Sequence, residues 1–120
     1  HYMEEVEYLC DRIYIMDRGN LIAVGTKDEI KEILASEQSI YIEAEILNET
    51  FIEALDKEPT IKELFVKNET VTIIVPKEIN VFQMVTRLAA QTDVELKSVN
   101  VKTPTLEDVF LHLTGRALRD

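Results

Sequence analysis

Cysteine, glycine and positive charge are all scarce in this chain. Its one cysteine, Cys10, rules out a disulfide within the chain and fits a reducing compartment. Its 3 glycines are Gly19, Gly25 and Gly115. No Gly-x-x-x-x-Gly-Lys-Ser/Thr loop can be written from them, so the glycine-rich cradle for nucleotide phosphates is missing. Only 13 Lys and Arg stand against 23 Asp and Glu, a formal net charge of −10. That balance argues against nucleic acid, whose phosphates must be neutralised by cations. It equally argues against docking on anionic lipid through a basic surface. Long apolar runs are absent too: nothing approaches the ~18 residues of a membrane span. No charged, then apolar, then small-residue leader is visible. The chain opens on His1 rather than Met and is expected to be a fragment.

What is present is enough apolar material for a core. The chain has 120 residues, of which 46% are hydrophobic. That suits one compact domain, or a small domain with an appendage, and excludes a disordered segment.

Residues 2–11 place Met3, Val6, Leu9 and Cys10 at helical spacing, with acids between them. Two β-rich runs, Arg12–Asp17 and Asn20–Val24, flank Arg18-Gly19 and predict a tight hairpin. Its apolar residues, Ile13, Ile15, Leu21, Ile22 and Val24, require a larger body to bury them. Thr26 followed by Glu29 is a capping box and starts a helix with Ile30, Ile33 and Leu34 on one face. The region Ala35-Ser36-Glu37 is a boundary without a Pro/Gly linker.

Beyond it, Ser39–Ile46 alternates, with Ile40, Ile42, Ala44 and Ile46 on the buried side. Asn48 caps a short helix carrying Phe51, Ile52 and Leu55, which must stop before Pro59. Ile61–Lys67 and Thr70–Val75 form a second hairpin around Asn68-Glu69, ended by Pro76. Residues 78–91 form a helix with Val81, Val85, Leu88 and Ala89 inward. Val94–Lys102 is a strand whose apolar parity slips between Leu96 and Val99, predicting a bulge or a late start. Thr105 caps a last helix bearing Leu106, Val109, Phe110 and Leu113, stopped by Gly115. The fold class is therefore α+β. Residues 38–102 follow the order β-α-β-β-α-β of the split, ferredoxin-like arrangement, with a helix-hairpin-helix remnant before them and a C-terminal helix after.

Two stretches carry a resemblance. The first is His1-Tyr2-Met3-Glu4-Glu5-Val6-Glu7-Tyr8-Leu9-Cys10-Asp11-Arg12-Ile13, then Met16-Asp17-Arg18-Gly19 and Ala23-Val24-Gly25-Thr26. In order and spacing it resembles the end of an ABC-type ATPase domain. The second, Thr103-Pro104-Thr105-Leu106-Glu107-Asp108-Val109-Phe110-Leu111 with Leu113-Thr114-Gly115, resembles the ending of exporter and multidrug-type ABC ATPases that carry an extra C-terminal domain. Between them, residues 38–102 hold no named motif.

The resemblance implies a division: residues 1–36 as the end of the nucleotide-binding domain and 37–120 as an accessory α+β domain. It also implies that His1 is the switch histidine, which touches the γ-phosphate and helps hold the attacking water. That role exists only in the full-length subunit, where chemistry is positioning and charge stabilisation. The phosphate loop, the Asp-Glu strand for magnesium and base, and the signature loop would all lie before His1. This segment alone therefore binds no cofactor and is not catalytic; ATP and Mg belong to the parent. The implied partners are a second copy of the ATPase subunit and a membrane permease subunit, with no nucleic acid. The implied location is cytoplasmic, peripheral on the inner face of the membrane through the permease.

Other candidates have plainer readings. Gly25-Thr26 suits a strand exit and helix cap as well as a nucleotide contact. Glu4, Glu5, Glu7 and Asp11 lack a His or Cys at ligand spacing and read as a solvated helix face. Cys10 reads as a buried thiol and His112 as a surface histidine. The uncovered apolar hairpin favours self-association of a fragment through residues 1–36. A regulatory or dimerisation role for the accessory domain stands beside an alternative: an independent, non-enzymatic ferredoxin-like module that binds a ligand or a partner.

Overall fold

The structure is a computed structural model that describes residues 12–115. The helix expected over residues 2–11 lies outside them. The chain divides into two compact units: one joins the segment up to Ala35 with the segment from Pro104 on, and the other is Ser36–Thr103.

In the first unit, β1 (Ile13–Asp17) and β2 (Asn20–Gly25) pair antiparallel. The chain reverses through Arg18 at φ 52° and Gly19 at φ 81°. Two consecutive left-handed residues match the right-handed twist of the flanking strands, which is why this hairpin is tight. The register steps from Ile15↔Ala23 to Met16↔Leu21, so Ile22 is an extra residue in β2. Ile13 and Ile15 are buried, whereas Tyr14, Met16, Leu21, Ile22 and Val24 are exposed.

Thr26 then caps the short helix α1 (Lys27–Lys31), which tightens into a 3-10 turn over Glu32–Leu34. Ile30 and Leu34 are buried. Ile33, expected on the same face, is exposed. It follows Ile30 by three positions but stands about 100° from Leu34 on a helical winding, at the margin of the stripe.

Helix α4 (Leu106–Thr114) packs against α1. In sequence this helix falls within residues 37–120, whereas by contacts it belongs to the first unit. Thr105 accepts from the Asp108 N–H at 3.1 Å and Asp108 accepts from the Thr105 N–H at 2.8 Å, a reciprocal cap. Gly115, at φ 72°, ends the helix and donates to the Leu111 carbonyl at 2.7 Å. Leu106, Val109 and Leu111 are buried, while Phe110 and Leu113 are half-buried. The apolar stripe is thus wider than the four residues expected, because Leu111 also finds cover.

The second unit runs β3 (Glu37–Ala44), α2 (Glu49–Lys57), β4 (Glu63–Lys67), β5 (Thr70–Pro76), α3 (Val81–Gln91), β6 (Leu96–Lys102). Its four strands form one antiparallel sheet in the order β4-β5-β3-β6. Alternation along β3 and β5 sends Ile40, Ile42, Val71, Ile73 and Val75 to one face. They meet Phe51 and Leu55 of α2 and Val81, Met84, Val85, Leu88 and Ala89 of α3. Burying such side chains contributes roughly 1.5–3 kcal/mol each before entropy is counted. All the α3 residues expected inward are there.

Several boundaries moved: β3 begins at Glu37 rather than Ser39, β4 at Glu63 rather than Ile61, and α3 at Val81 rather than residue 78. The strand expected to reach Ile46 ends at Ala44, and Ile46 is 73% exposed. The Glu45 N–H donates to the Glu95 carbonyl and the Leu47 N–H to the Glu69 carboxylate, so the backbone leaves the ladder there. On β6 the register steps from Glu43↔Ser98 to Ala44↔Leu96, and Lys97 is the extra residue. The strand also begins at Leu96, not Val94. The parity slip and the late start therefore both occur.

Candidate functional site

The end of β3, the start of α2 and the β4–β5 turn converge at one corner of the second unit. Asn48 is the N-cap of α2, and its Oδ1 accepts from the Phe51 N–H at 2.7 Å. Its Nδ2 donates to the Thr92 carbonyl at 2.9 Å. Asn68 turns the β4–β5 hairpin at φ 55°, a conformation asparagine tolerates better than most residues. Beside it, Glu69 accepts from the Leu47 N–H at 2.6 Å, and its carbonyl accepts from the Ala44 N–H at 3.2 Å. These bonds hold open a concavity of about 480 Å³. Its floor is apolar: Leu47, Ile52 and Val66. Its rim is acidic: Glu49, Glu53 and Glu69, with no Lys, Arg or His among the lining residues. A surface of this composition can seat an apolar group that carries positive charge.

The sheet face away from the helices mixes polar residues with Phe65 and the fully buried Ile74. Ser98 donates to Glu43 at 2.8 Å, and the Lys102 ammonium lies 5.2 Å from the Tyr41 ring centre. Toward the start of β3, Glu37 and Ser39 are buried. Lys62 pairs with one Glu37 oxygen; the other, and the Ser39 hydroxyl, find no hydrogen-bond partner among the described residues.

Of the site residues singled out from sequence, only Gly25, Thr26 and His112 are among the described residues. His1 lies outside the described residues, as do Glu4, Glu5, Glu7, Cys10 and Asp11. His112 is on the exposed side of α4. Gly25 and Thr26 form a strand exit and a helix cap: Thr26 accepts from the Glu29 N–H at 3.2 Å, and Glu29 accepts from the Thr26 N–H at 2.8 Å. The Thr26 N–H foremost, and then the Thr26 hydroxyl, hold the Glu29 carboxyl below its usual range, with Arg12 adding a smaller pull. A β-carbon on Gly25 would come within 3.1 Å of the Glu29 side chain, so a small residue serves the cap at this position. No group of metal-ligating side chains gathers among the described residues. No described helix is long and apolar enough to cross a membrane. The acidic groove was not anticipated. Its sequence signal was the pair Glu49 and Glu53 flanking Ile52 on the helix after Asn48, but Val66 and Glu69 join it only through the fold.

These features define an α+β chain with two antiparallel sheets. Residues 25–114 match the family described as "ATP-binding protein DrrA1-3-like, C-terminal domain", and the chain belongs to that family. The linearmycin resistance ATP-binding protein LnrL of Bacillus subtilis (strain 168) is 38% identical over 123 residues, covering 100% of this chain and 39% of LnrL. The daunorubicin resistance ATP-binding protein DrrA3 of Streptomyces coeruleorubidus is 30% identical over 121 residues, covering 95% of this chain and 36% of that protein. ABC transporter A family member 3 of Arabidopsis thaliana is 29% identical over 123 residues, covering 98% of this chain and 13% of that protein. The chain thus corresponds to the C-terminal part of ABC transporter ATP-binding proteins, and spans well under half the length of these relatives.

Proposed function

We propose that the chain is the C-terminal segment of a subunit that couples ATP hydrolysis to transport through a membrane permease. The observation that carries this reading is the family match over residues 25–114. In the parent, ATP and Mg bind residues that precede His1, and His1 acts as the switch histidine at the γ-phosphate. The exposed apolar residues of the hairpin, Leu21, Ile22 and Val24 among them, support a surface made to pack on the rest of that subunit. The β-α-β-β-α-β order and the strand order β4-β5-β3-β6 support a ferredoxin-like reading of Ser36–Thr103. That unit acts as a regulatory or dimerisation module. The subunit works as a pair, on the cytoplasmic face of the membrane, held there by the permease.

The test uses the complete subunit. Replacing His1 by Ala should abolish ATP hydrolysis while ATP binding persists; unchanged hydrolysis would remove the switch assignment. Replacing Ser36–Thr103 by a short Gly/Ser linker should weaken ATP-dependent dimerisation in sedimentation. Unchanged dimerisation and unchanged hydrolysis would leave the module without the role proposed for it.

A further inference from the structure

We infer that the groove between α2 and the β4–β5 turn docks a basic amphipathic segment on the cytoplasmic side of the permease. This rests on the reading above, that the parent subunit works with a permease.

Three observations favour that occupant. The first is the apolar floor. Leu47, Ile52 and Val66 line a concavity of about 480 Å³. Val66 is 50% exposed, and Ile46, the residue before Leu47, is exposed as well. An occupant that covers them must present apolar side chains along some length of backbone, as a helix laid in a groove does.

The second is the rim. Glu49 and Glu53 are one helical turn apart on α2 and so share a face. Glu69 joins them from the turn, and no cation lines the groove. Glu69 already accepts from the Leu47 N–H, but Glu49 and Glu53 become costly if the patch is covered by anything neutral, because desolvating uncompensated charge is unfavourable. Lys or Arg on the occupant compensates for that cost.

The third is where such segments are found. Cytoplasmic loops and juxtamembrane segments of membrane proteins carry an excess of Lys and Arg. The whole chain is acidic, with a formal net charge of −10, so the encounter is steered as well as matched.

The experiment titrates the chain, His1–Asp120, with a fluorescein-labelled 14-residue peptide with Leu on one helical face and Lys on the other. The expected result is saturable binding that shifts the amide signals of Leu47, Ile52 and Val66. A permuted peptide of the same composition should bind about tenfold more weakly, as should the Glu53→Lys variant toward the original peptide. Val66→Ser should weaken binding without altering the salt dependence. Equal binding of the permuted peptide, or no effect of Glu53→Lys, would overturn the groove as the site. These measurements need neither ATP nor permease, so their failure is separate from failure of the ATPase reading. A final arm places Glu53→Lys in the complete subunit. Weaker, less salt-sensitive association with the permease is expected, because part of the attraction that salt screens is gone; unchanged association would leave a peptide groove and overturn the permease as its occupant.

Discussion

Asn48 holds the carbonyl of Thr92 at 2.9 Å through its amide nitrogen while its amide oxygen caps α2. One side chain thereby joins the first residue after α3 to the start of α2. A side-chain amide offers a donor and an acceptor on separate atoms, and a carboxylate offers only acceptors. Asn48→Asp should keep the cap and lose the donor, costing about 1 kcal/mol in urea unfolding. Asn48→Ala should lose both, about 2 kcal/mol. An Asp variant as stable as the parent would mean the Thr92 bond contributes nothing.

The Thr26–Glu29 cap makes a statement about pH. The Glu29 carboxyl is held below its usual range by the Thr26 N–H and hydroxyl, then by Arg12. Its folded pKa is thus lower than its unfolded one. The stabilisation it adds is present above the unfolded value and is lost as pH falls through the folded value. Titration of the Glu29 side-chain signal by NMR should show a midpoint below that of glutamate in an unstructured peptide. Thr26→Ala should move the midpoint part of the way back, since the backbone donor remains.

Core substitutions should separate the two faces of α2. Phe51 is fully buried among residues of the sheet and α3. Phe51→Ala should cost about 3–5 kcal/mol, from lost burial plus the cavity left behind. Glu53→Gln, on the exposed side, should stay within about 0.5 kcal/mol. Chemical denaturation of both variants checks this. Similar costs for the two would mean α2 packs by a different face.

The Glu37–Lys62 pair should behave asymmetrically. The Glu37 side chain is almost fully covered, whereas that of Lys62 is half in water. Lys62→Met leaves a covered carboxylate without its cation and should cost roughly 1–3 kcal/mol. Adding Glu37→Gln should recover part of that loss. A double-mutant cycle measures the coupling; additive effects would show that the pair is incidental.

Most of the fold was legible because the local chemistry is unambiguous. Arg18-Gly19 marked a turn, and its residues take left-handed φ. Thr26, Asn48 and Thr105 marked helix starts, and each accepts a bond from the backbone three residues on. The slip between Leu96 and Val99 announced the extra residue Lys97, because a strand keeps a period of two unless a residue is inserted. What escaped depended on partners distant in sequence. Ile46 continues the alternation perfectly, yet it is exposed because Glu95 and Glu69 draw the neighbouring backbone out of the sheet. Leu111 lies off the expected stripe and is buried all the same. The groove has the same origin: Leu47, Ile52 and Val66 meet only after strand pairing brings them together. Of the residues marked for chemistry, His1 lies outside the described residues, and Gly25 and Thr26 work as a cap.

The first unit takes β1, β2 and α1 from before Ser36 and α4 from after Thr103. On the ribosome these parts emerge before and after the whole of the other unit, at about 5–20 residues per second. The intervening unit is contiguous and can close as soon as β6 is out, whereas α1 waits for α4 until all of that unit has been made. Until then Ile30 and Leu34 lack the helix that packs beside theirs. The order of birth is therefore inverted in the order of completion: the unit begun first is finished last. A ribosome that stops anywhere between Ser36 and Thr103 releases a chain whose first unit has no α4.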